Sequence, residues 1–533
     1  MPIVSDKLRR RIVEQGKSLL VQTNRSRPLR FAGERAYDAM RLVIRQRFAS
    51  TPGVRAVYLC HSLAAGECYP GLSDFDIAVV FDDADPVSFY DRIRRRWGAL
   101  KRYFPISDLS ILTVAEFETW QRVGGGWDPL DEVRNWKLLA GEELRHSRFD
   151  AGTEEAATDR MQWALGHFQN LLGVVIKEEQ KSPLMAVIAR RQLHKNFWNT
   201  VLALDPRYLA IPAHRDRVAA WIADNGTPPC VAAMQEMYAA RFISGPVTTM
   251  RMEAGALAYQ LLDHSLARNS LLTRRLTRPR SSHEAVPISN HAEVEDRGHA
   301  FSASILEMLG DVIESVTLGS TGSVRGYALY IVLRDGLSSG DLAGALRDIR
   351  AVHRVFDDPW FNEHIPAGIP TVCSRSMFIA RLHTGRSSLH YFEKFRCVLH
   401  GRDLYAEVVS DTAGPETEGE TLHDWRREHL LYSLHLHQVY LARLKPALHD
   451  YVTFYFPRMM LQRKHGIAPA TAEEAVAVFA GLHPGGDSVL PARMLEEYRG
   501  KDLDALLKTM TRQSFSDVWP MLSQGLHANA SAP

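Results

Sequence analysis

The chain writes one order of apolar runs and turn residues twice, which limits the folds open to it more than any other feature. The first copy centres on GLSDFDIAVVF (71–81) and the second on RGYALYIVL (325–333). In the first, FAGERAYDAMRLVIRQRFA (31–49) has helical apolar spacing, with Ala36, Met40, Val43, Ile44 and Phe48 near one side. Pro52-Gly53 ends it, and Val54–Cys60 reads as a strand. The loop HSLAAGECYPGLS leads to a second strand, Asp74–Phe81, a turn at Asp82-Asp83, a helix over 86–100 and a third strand, Pro105–Thr113. In the second, residues 298–333 hold a helix, a strand at Ser315–Leu318, a Gly/Ser turn and a strand at Tyr327–Leu333. A helix over 339–356 and a strand at Pro370–Ile379 follow. Laying VVFDD (79–83) on IVLRD (331–335) sets Gly326 opposite Asp74 and Ala328 opposite Asp76. Laying PISD (105–108) on PTVC (370–373) sets Cys373 opposite Asp108, and NWKLLAGEELR (135–145) echoes KFRCVLHGRDLY (394–405).

The two copies differ in their acids. Strand side chains alternate between faces, so Asp74 and Asp76 project together at the mouth of an apolar strand. Two carboxylates about 4 Å apart repel by about 4 kcal/mol at an effective dielectric near 20. A shared proton or a nearby cation offsets that, and a divalent metal does so best. The competing reading is two solvated acids ending an edge strand. Asp108, among Ile106, Leu109, Ile111 and Leu112, is costly to bury unpaired; the competing reading there is a bond to a backbone amide. Three acids on adjacent strands can cage one or two divalent ions. Such ions hold a triphosphate and lower the pKa of an attacking hydroxyl, while a carboxylate takes its proton.

His61-Ser62, Ser73-Asp74-Phe75-Asp76-Ile77 and Asp108 together make the first quarter of the chain resemble the nucleotidyltransferase superfamily, the fold of DNA polymerase beta, CCA-adding enzymes and aminoglycoside nucleotidyltransferases. The pattern is a Gly-Ser turn after a strand, Asp-x-Asp on the next strand, and a third acid later. The resemblance implies that Asp74, Asp76 and Asp108 are catalytic and bind Mg²⁺ or Mn²⁺. It also implies that Ser62, His61 and Ser73 lie on the phosphates of an NTP, ATP first among them. His61 departs from the pattern by standing where Gly is usual. Basic residues of the following helices clamp phosphates in relatives, which points first to Lys195 and then to Lys137, with Arg190 and Arg191 beside Lys195; such residues are more often solvated helix residues. The second copy keeps Gly319-Ser320 and lacks all three acids, so it resembles a degenerate domain of that family.

Helical stretches at 155–180, 183–204, 208–224 and 229–241 follow the first copy, and 421–460, 471–481, 491–510 and 514–525 the second. The resulting fold class is α/β plus all-α. The domains are residues 1–150 with the acids, a helical domain 151–273, a basic Pro/Ser-rich mobile linker 274–290, a degenerate domain 291–410 and a helical domain 411–533. Length fits, since 533 residues suggest roughly two to four domains. With 64 basic and 62 acidic residues, net +2, no global field for nucleic acid exists. The tandem plan resembles glutamine synthetase adenylyltransferase, in a shorter chain.

Five scattered cysteines without a CxxC pair support neither a zinc site nor a disulfide framework and fit a cytoplasmic protein. No signal peptide or membrane span is expected. Tyr69 and Trp136 are base-stacking candidates that read more simply as packing residues. His423, His429, His435, His437 and His449 lack i, i+4 spacing, and Arg9-Arg10-Arg11 reads as a solvated face. The expected activity is transfer of an NMP from an NTP to a hydroxyl acceptor with release of pyrophosphate. A small-molecule acceptor is favoured, with a protein or RNA acceptor and no membrane partner as the other readings. The rival class is a non-catalytic tandem protein that binds a nucleotide or a partner.

Overall fold

The computed structural model describes residues 19–82, 96–100, 104–114, 135–146, 154–177, 183–211, 213–239, 250–269, 276–277, 291–320, 327–356, 358–365, 368–384, 395–410 and 472–482, with isolated positions between. The histidines at 423–449, Arg9 to Arg11 and the stretches 421–456, 491–510 and 514–525 lie outside these residues.

Helix α1 (Arg27–Ala49) starts on a proline in its first turn and buries Tyr37, Ile44 and Phe48. After it come β1 (Val54–Leu59), the one-turn α2 (His61–Ala64), β2 (Phe75–Phe81), β3 (Ile106–Thr113) and β4 (Lys137–Gly141). They form a sheet in the order β3-β2-β1-β4, with β2 and β3 parallel and the other pairs antiparallel. Among the described residues, six helices follow: α3 (Glu154–Ile176), α4 (Pro183–Ala203), α5 (Pro206–Leu209), α6 (His214–Asn225), α7 (Pro229–Ala239) and α8 (Met250–Ala267). After the short β5 (Leu276–Thr277), α9 (His291–Leu309) leads to β6 (Ile313–Ser320), β7 (Tyr327–Leu333), α10 (Ser339–Val355), α11 (Asp358–His364), β8 (Thr371–Cys373), α12 (Arg375–Thr384) and β9 (Cys397–Gly401). The order of this second sheet is β8-β7-β6-β9, with the same parallel and antiparallel pairs. A 3-10 turn (Gly310–Val312) before β6, helix α13 (Leu404–Val408), β10 (Val409–Ser410) and α14 (Ala472–Leu482) complete the described elements. Among the described residues, no helix is long and apolar enough to cross a membrane.

The two sheets repeat each other down to the irregularities of β1 and β6. Pairing slips between Val54 and Ala56 in β1 and between Ile313 and Ser315 in β6. The edge strands β4 and β9 each end on a glycine with positive φ, 87° at Gly141 and 76° at Gly401. A Cβ at Gly141 would lie 2.0 Å from the Arg55 carbonyl oxygen, and one at Gly401 2.1 Å from that of Glu314. Only glycine fits so close an approach.

Register corrects the alignment in two places. Val80 pairs with Leu112 and Val332 with Cys373, so Cys373 matches Leu112, and Ile369 takes the place of Asp108. Leu59 pairs with Ile77 and Leu318 with Leu329, so Gly319-Ser320 matches Cys60-His61 rather than His61-Ser62. Gly319 and Ser320 are strand residues, paired with Ala328 and Tyr327, and not a turn. Two further expectations change. The strand expected over 370–379 stops at Cys373, because the Ser374 hydroxyl accepts the Met377 N–H at 3.2 Å and starts α12. Part of the expected linker, Leu276–Thr277, pairs in parallel with Val409–Ser410; residues 278–290 lie outside the described residues.

The central helices and the second sheet share one contiguous core, running from Met161 through Trp198, Leu262, Phe301 and Val332 to Ala475. Helix α8 lies inside it, with Met252, Ala254, Gly255, Ala256, Ala258, Tyr259, Leu262 and Leu266 all buried. Its small residues allow neighbours on every side; a Cβ at Gly255 would come within 2.9 Å of Leu346 Cδ1. The first sheet has a separate cluster of Ala56, Tyr58, Cys60, Ala78, Val80, Leu112, Phe117 and Trp136.

Candidate functional site

The alternation expected of β2 is present: Phe75 is buried, and its neighbours Asp74 and Asp76 are half-buried. Phe75 stacks on Tyr37 of α1 with ring centroids 5.3 Å apart. Burying the ring on one face commits the two acids to the other.

A braced loop delivers Asp74. The Tyr37 hydroxyl donates to the Ser73 carbonyl at 2.7 Å and accepts the Gly71 N–H at 3.2 Å. Burial, opposed by that N–H bond, pushes the Tyr37 phenol up to about 12, with Cys68 and Asp74 adding to the rise. Tyr37 therefore stays a neutral donor. Asn24 Nδ2 holds the Pro70 carbonyl at 2.8 Å. Ser73 is buried, and its hydroxyl accepts the Tyr69 N–H at 2.9 Å, so it ties the loop together. From the helical region, Arg191 on α4 donates to the Leu72 carbonyl, and Val187 packs with Leu72 and Val21. The Arg215 N–H of α6 meets Glu67 Oε1 at 3.2 Å.

The parallel pairing of β2 with β3 sets Asp108 beside Asp76 in register, with an irregularity between Phe75 and Asp76. The Cys60 N–H donates to the Asp76 carbonyl at 2.8 Å, so the end of β1 closes on the acid strand. Burial drives the Cys60 thiol far above the ordinary range, and the Asp76 charge adds to it. Next, His61 has φ 57°, the one positive φ outside glycine among the described residues. It opens α2 in the left-handed conformation that glycine adopts without strain. Ser62 is half-buried in that turn, and its carbonyl accepts the Glu67 N–H at 2.8 Å. Lys137 is exposed and pairs with Leu59 at the same end of the sheet. Lys195 is exposed on α4, one turn beyond Arg191. One sheet end thus gathers Asp74, Asp76, Asp108, His61, Ser62 and Lys137, with α4 against the loop beside them.

Neighbouring candidates belong to the packing. Trp136 is buried against Tyr58 and Phe117, each 6.2 Å away. Tyr69 carries the Arg30 guanidinium 5.0 Å over its ring. Arg190 is buried, and desolvation lowers its pKa.

The equivalent place in the second sheet is filled. A Cβ at Gly319 would lie 2.2 Å from Phe392 Cε2, so this glycine makes room for a ring. Phe392 is buried, with Tyr405, Tyr330 and Phe378 at 5.5, 5.7 and 5.9 Å. Sequence reasoning took Gly319 for a phosphate turn, although a glycine under an aromatic ring looks the same in one dimension. The missing signal was the large Tyr330 where the first sheet has Ala78. The chain matches no protein-family model, no curated protein and no solved structure.

Proposed function

We propose that the first sheet carries a Mg²⁺-dependent nucleotidyltransferase site, which moves an NMP from an NTP to a hydroxyl of a small-molecule acceptor and releases pyrophosphate. The observation that carries this reading is the register of Asp76 with Asp108 on parallel strands, with Asp74 two residues away on a braced loop. An all-oxygen donor set suits Mg²⁺, which keeps open positions for waters and phosphate oxygens. Asp74, Asp76 and Asp108 would hold the ion, which supplies charge neutralisation for the triphosphate. The turn at His61-Ser62 faces the phosphates, and Lys137 and Lys195 add positive charge at the rim. Catalysis is then alignment of the acceptor hydroxyl for in-line attack, together with electrostatic stabilisation.

The second sheet, with Ala328 and Ile369 where the first has Asp76 and Asp108 and with Phe392 in the corresponding place, holds no nucleotide in this mode. It acts as scaffold for the helical region whose α4 braces the acid loop.

Asp74→Asn and Asp76→Asn are expected to fold, because both side chains are half-buried, and to lower transfer of label from an α-labelled NTP by at least about 100-fold. The assay pairs Mg²⁺ or Mn²⁺ with small-molecule, RNA and protein fractions. His61, standing where the family pattern has glycine, favours a second reading, a site that binds nucleotide without chemistry. NTP affinity equal with and without Mg²⁺, and no transfer to any fraction, would establish that reading instead.

A further inference from the structure

Helix α9 and strand β9 of the second sheet bring together three side chains of a different kind from the acids of the first. Glu295 and His299 stand four residues apart, on one face of α9. Gly298 lies between them, and a Cβ there would be 3.2 Å from Leu399 Cδ1 and 3.6 Å from Leu318 Cδ2. The glycine therefore lets the helix settle closely onto β6 and β9. Cys397, the first residue of β9, then has its Sγ 3.0 Å from Glu295 Oε1 and 3.9 Å from His299 Nε2, and the last two atoms are 3.9 Å apart. Among the described residues, this is the group of three whose ligand atoms all lie within 4.8 Å of one another.

We propose that Glu295, His299 and Cys397 bind a zinc ion, with solvent or a small anion in the fourth position. Zinc takes thiolate, imidazole and carboxylate together, at about 2.3, 2.0 and 2.1 Å. A tetrahedron with those bonds has ligand–ligand edges of about 3.4–3.6 Å. The three observed separations bracket that range, so small side-chain movements seat the ion. Mg²⁺ and Ca²⁺ prefer oxygen alone, so this site selects a different ion from the acids of the first sheet. The thiol now donates its proton to Glu295; on binding, Zn²⁺ takes its place and the proton leaves to solvent. Dipositive zinc with one thiolate and one carboxylate is neutral, which suits the half-buried position of Glu295 and Cys397. The ion has a way in, since the His299 side chain is 53% exposed. In register, Cys397 corresponds to Lys137, so the first sheet has a cation where the second has a ligand. The site stands independently of the proposed transfer activity and pins α9 to β9.

The test titrates the full-length chain with Co²⁺ and then Zn²⁺. One equivalent of Co²⁺ is expected to give a thiolate-to-cobalt charge-transfer band that Zn²⁺ abolishes. Cys397→Ser is expected to lose that band, and His299→Ala and Glu295→Gln to lower zinc affinity at least tenfold in competition with a chromophoric chelator. Cys230→Ser serves as the control and keeps both properties. Zinc is expected to raise the melting temperature of the parent chain and not of Cys397→Ser. A band that survives in Cys397→Ser, or affinity unchanged in His299→Ala, an exposed position whose loss leaves the fold intact, would overturn the proposal.

Discussion

At the scale of single residues, His61 shows how backbone conformation can matter more than side-chain identity. The sequence places a histidine where the proposed phosphate turn would carry glycine, which reads as an obstacle. With φ at 57°, the backbone there already has the conformation a glycine would supply. His61→Gly exchanges a strained left-handed residue for a more flexible one, and the two effects offset to within about 1 kcal/mol. His61→Val puts a β-branched residue at positive φ and is expected to cost roughly 1–3 kcal/mol. Chemical denaturation of the two variants checks this; equal losses would mean that the turn tolerates any residue. Acids and turn could be named from the sequence because they are close in it. The Glu295, His299 and Cys397 group could not, because Cys397 is 102 residues from Glu295 and 98 from His299. Cysteine spacing rules look for short loops, and this group is closed by a helix docking on a strand.

At the scale of elements, the duplicated sheets offer a paired experiment. Gly141 and Gly401 end β4 and β9 at equivalent register positions, each with positive φ and each against a carbonyl of the neighbouring strand. Alanine at either position meets both backbone strain and overlap, and each substitution is expected to cost roughly 2–4 kcal/mol. Matched losses in denaturant melts would show one structural device used twice, and a loss at only one position would break the equivalence. The strands at 54–60, 74–81, 105–113, 315–318 and 327–333 were legible from apolar runs and turn residues, and the structure has them there within two residues; β4 and β9 showed only as an echo between the copies, and the order of strands in each sheet came from the structure. Where a strand ended was less legible. SRSMFIA reads as a continuation of β8 by its apolar content, yet the Ser374 hydroxyl caps a helix there. A single hydrogen bond decides the matter, and hydrophobic content does not record it.

At the scale of the whole molecule, the central helices and the second sheet behave as one body because their buried side chains form one core. Leu346 of α10 touches α8 at Gly255, so its loss is felt on both sides. Leu346→Ala is expected to cost about 2–5 kcal/mol and to speed amide exchange in α3 and α8 as well as in β6 and β7. Amides of β1 and β2, which rest on a separate cluster, should hold their protection; acceleration there to the same degree would show a single cooperative unit. The sequence by itself determined the repeated order of most strands and helices, the alternation of two acids about Phe75 and the loss of those acids in the second copy. All of these follow from side-chain alternation and from spacing within a few residues. Tertiary structure alone decided the rest. Register moved Gly319 opposite Cys60 and Ile369 opposite Asp108, a ring filled the corresponding place in the second sheet, and α8, with its small buried residues, became part of a shared core. Those outcomes depend on which surfaces meet, and contacts between distant segments leave no period in the chain that makes them.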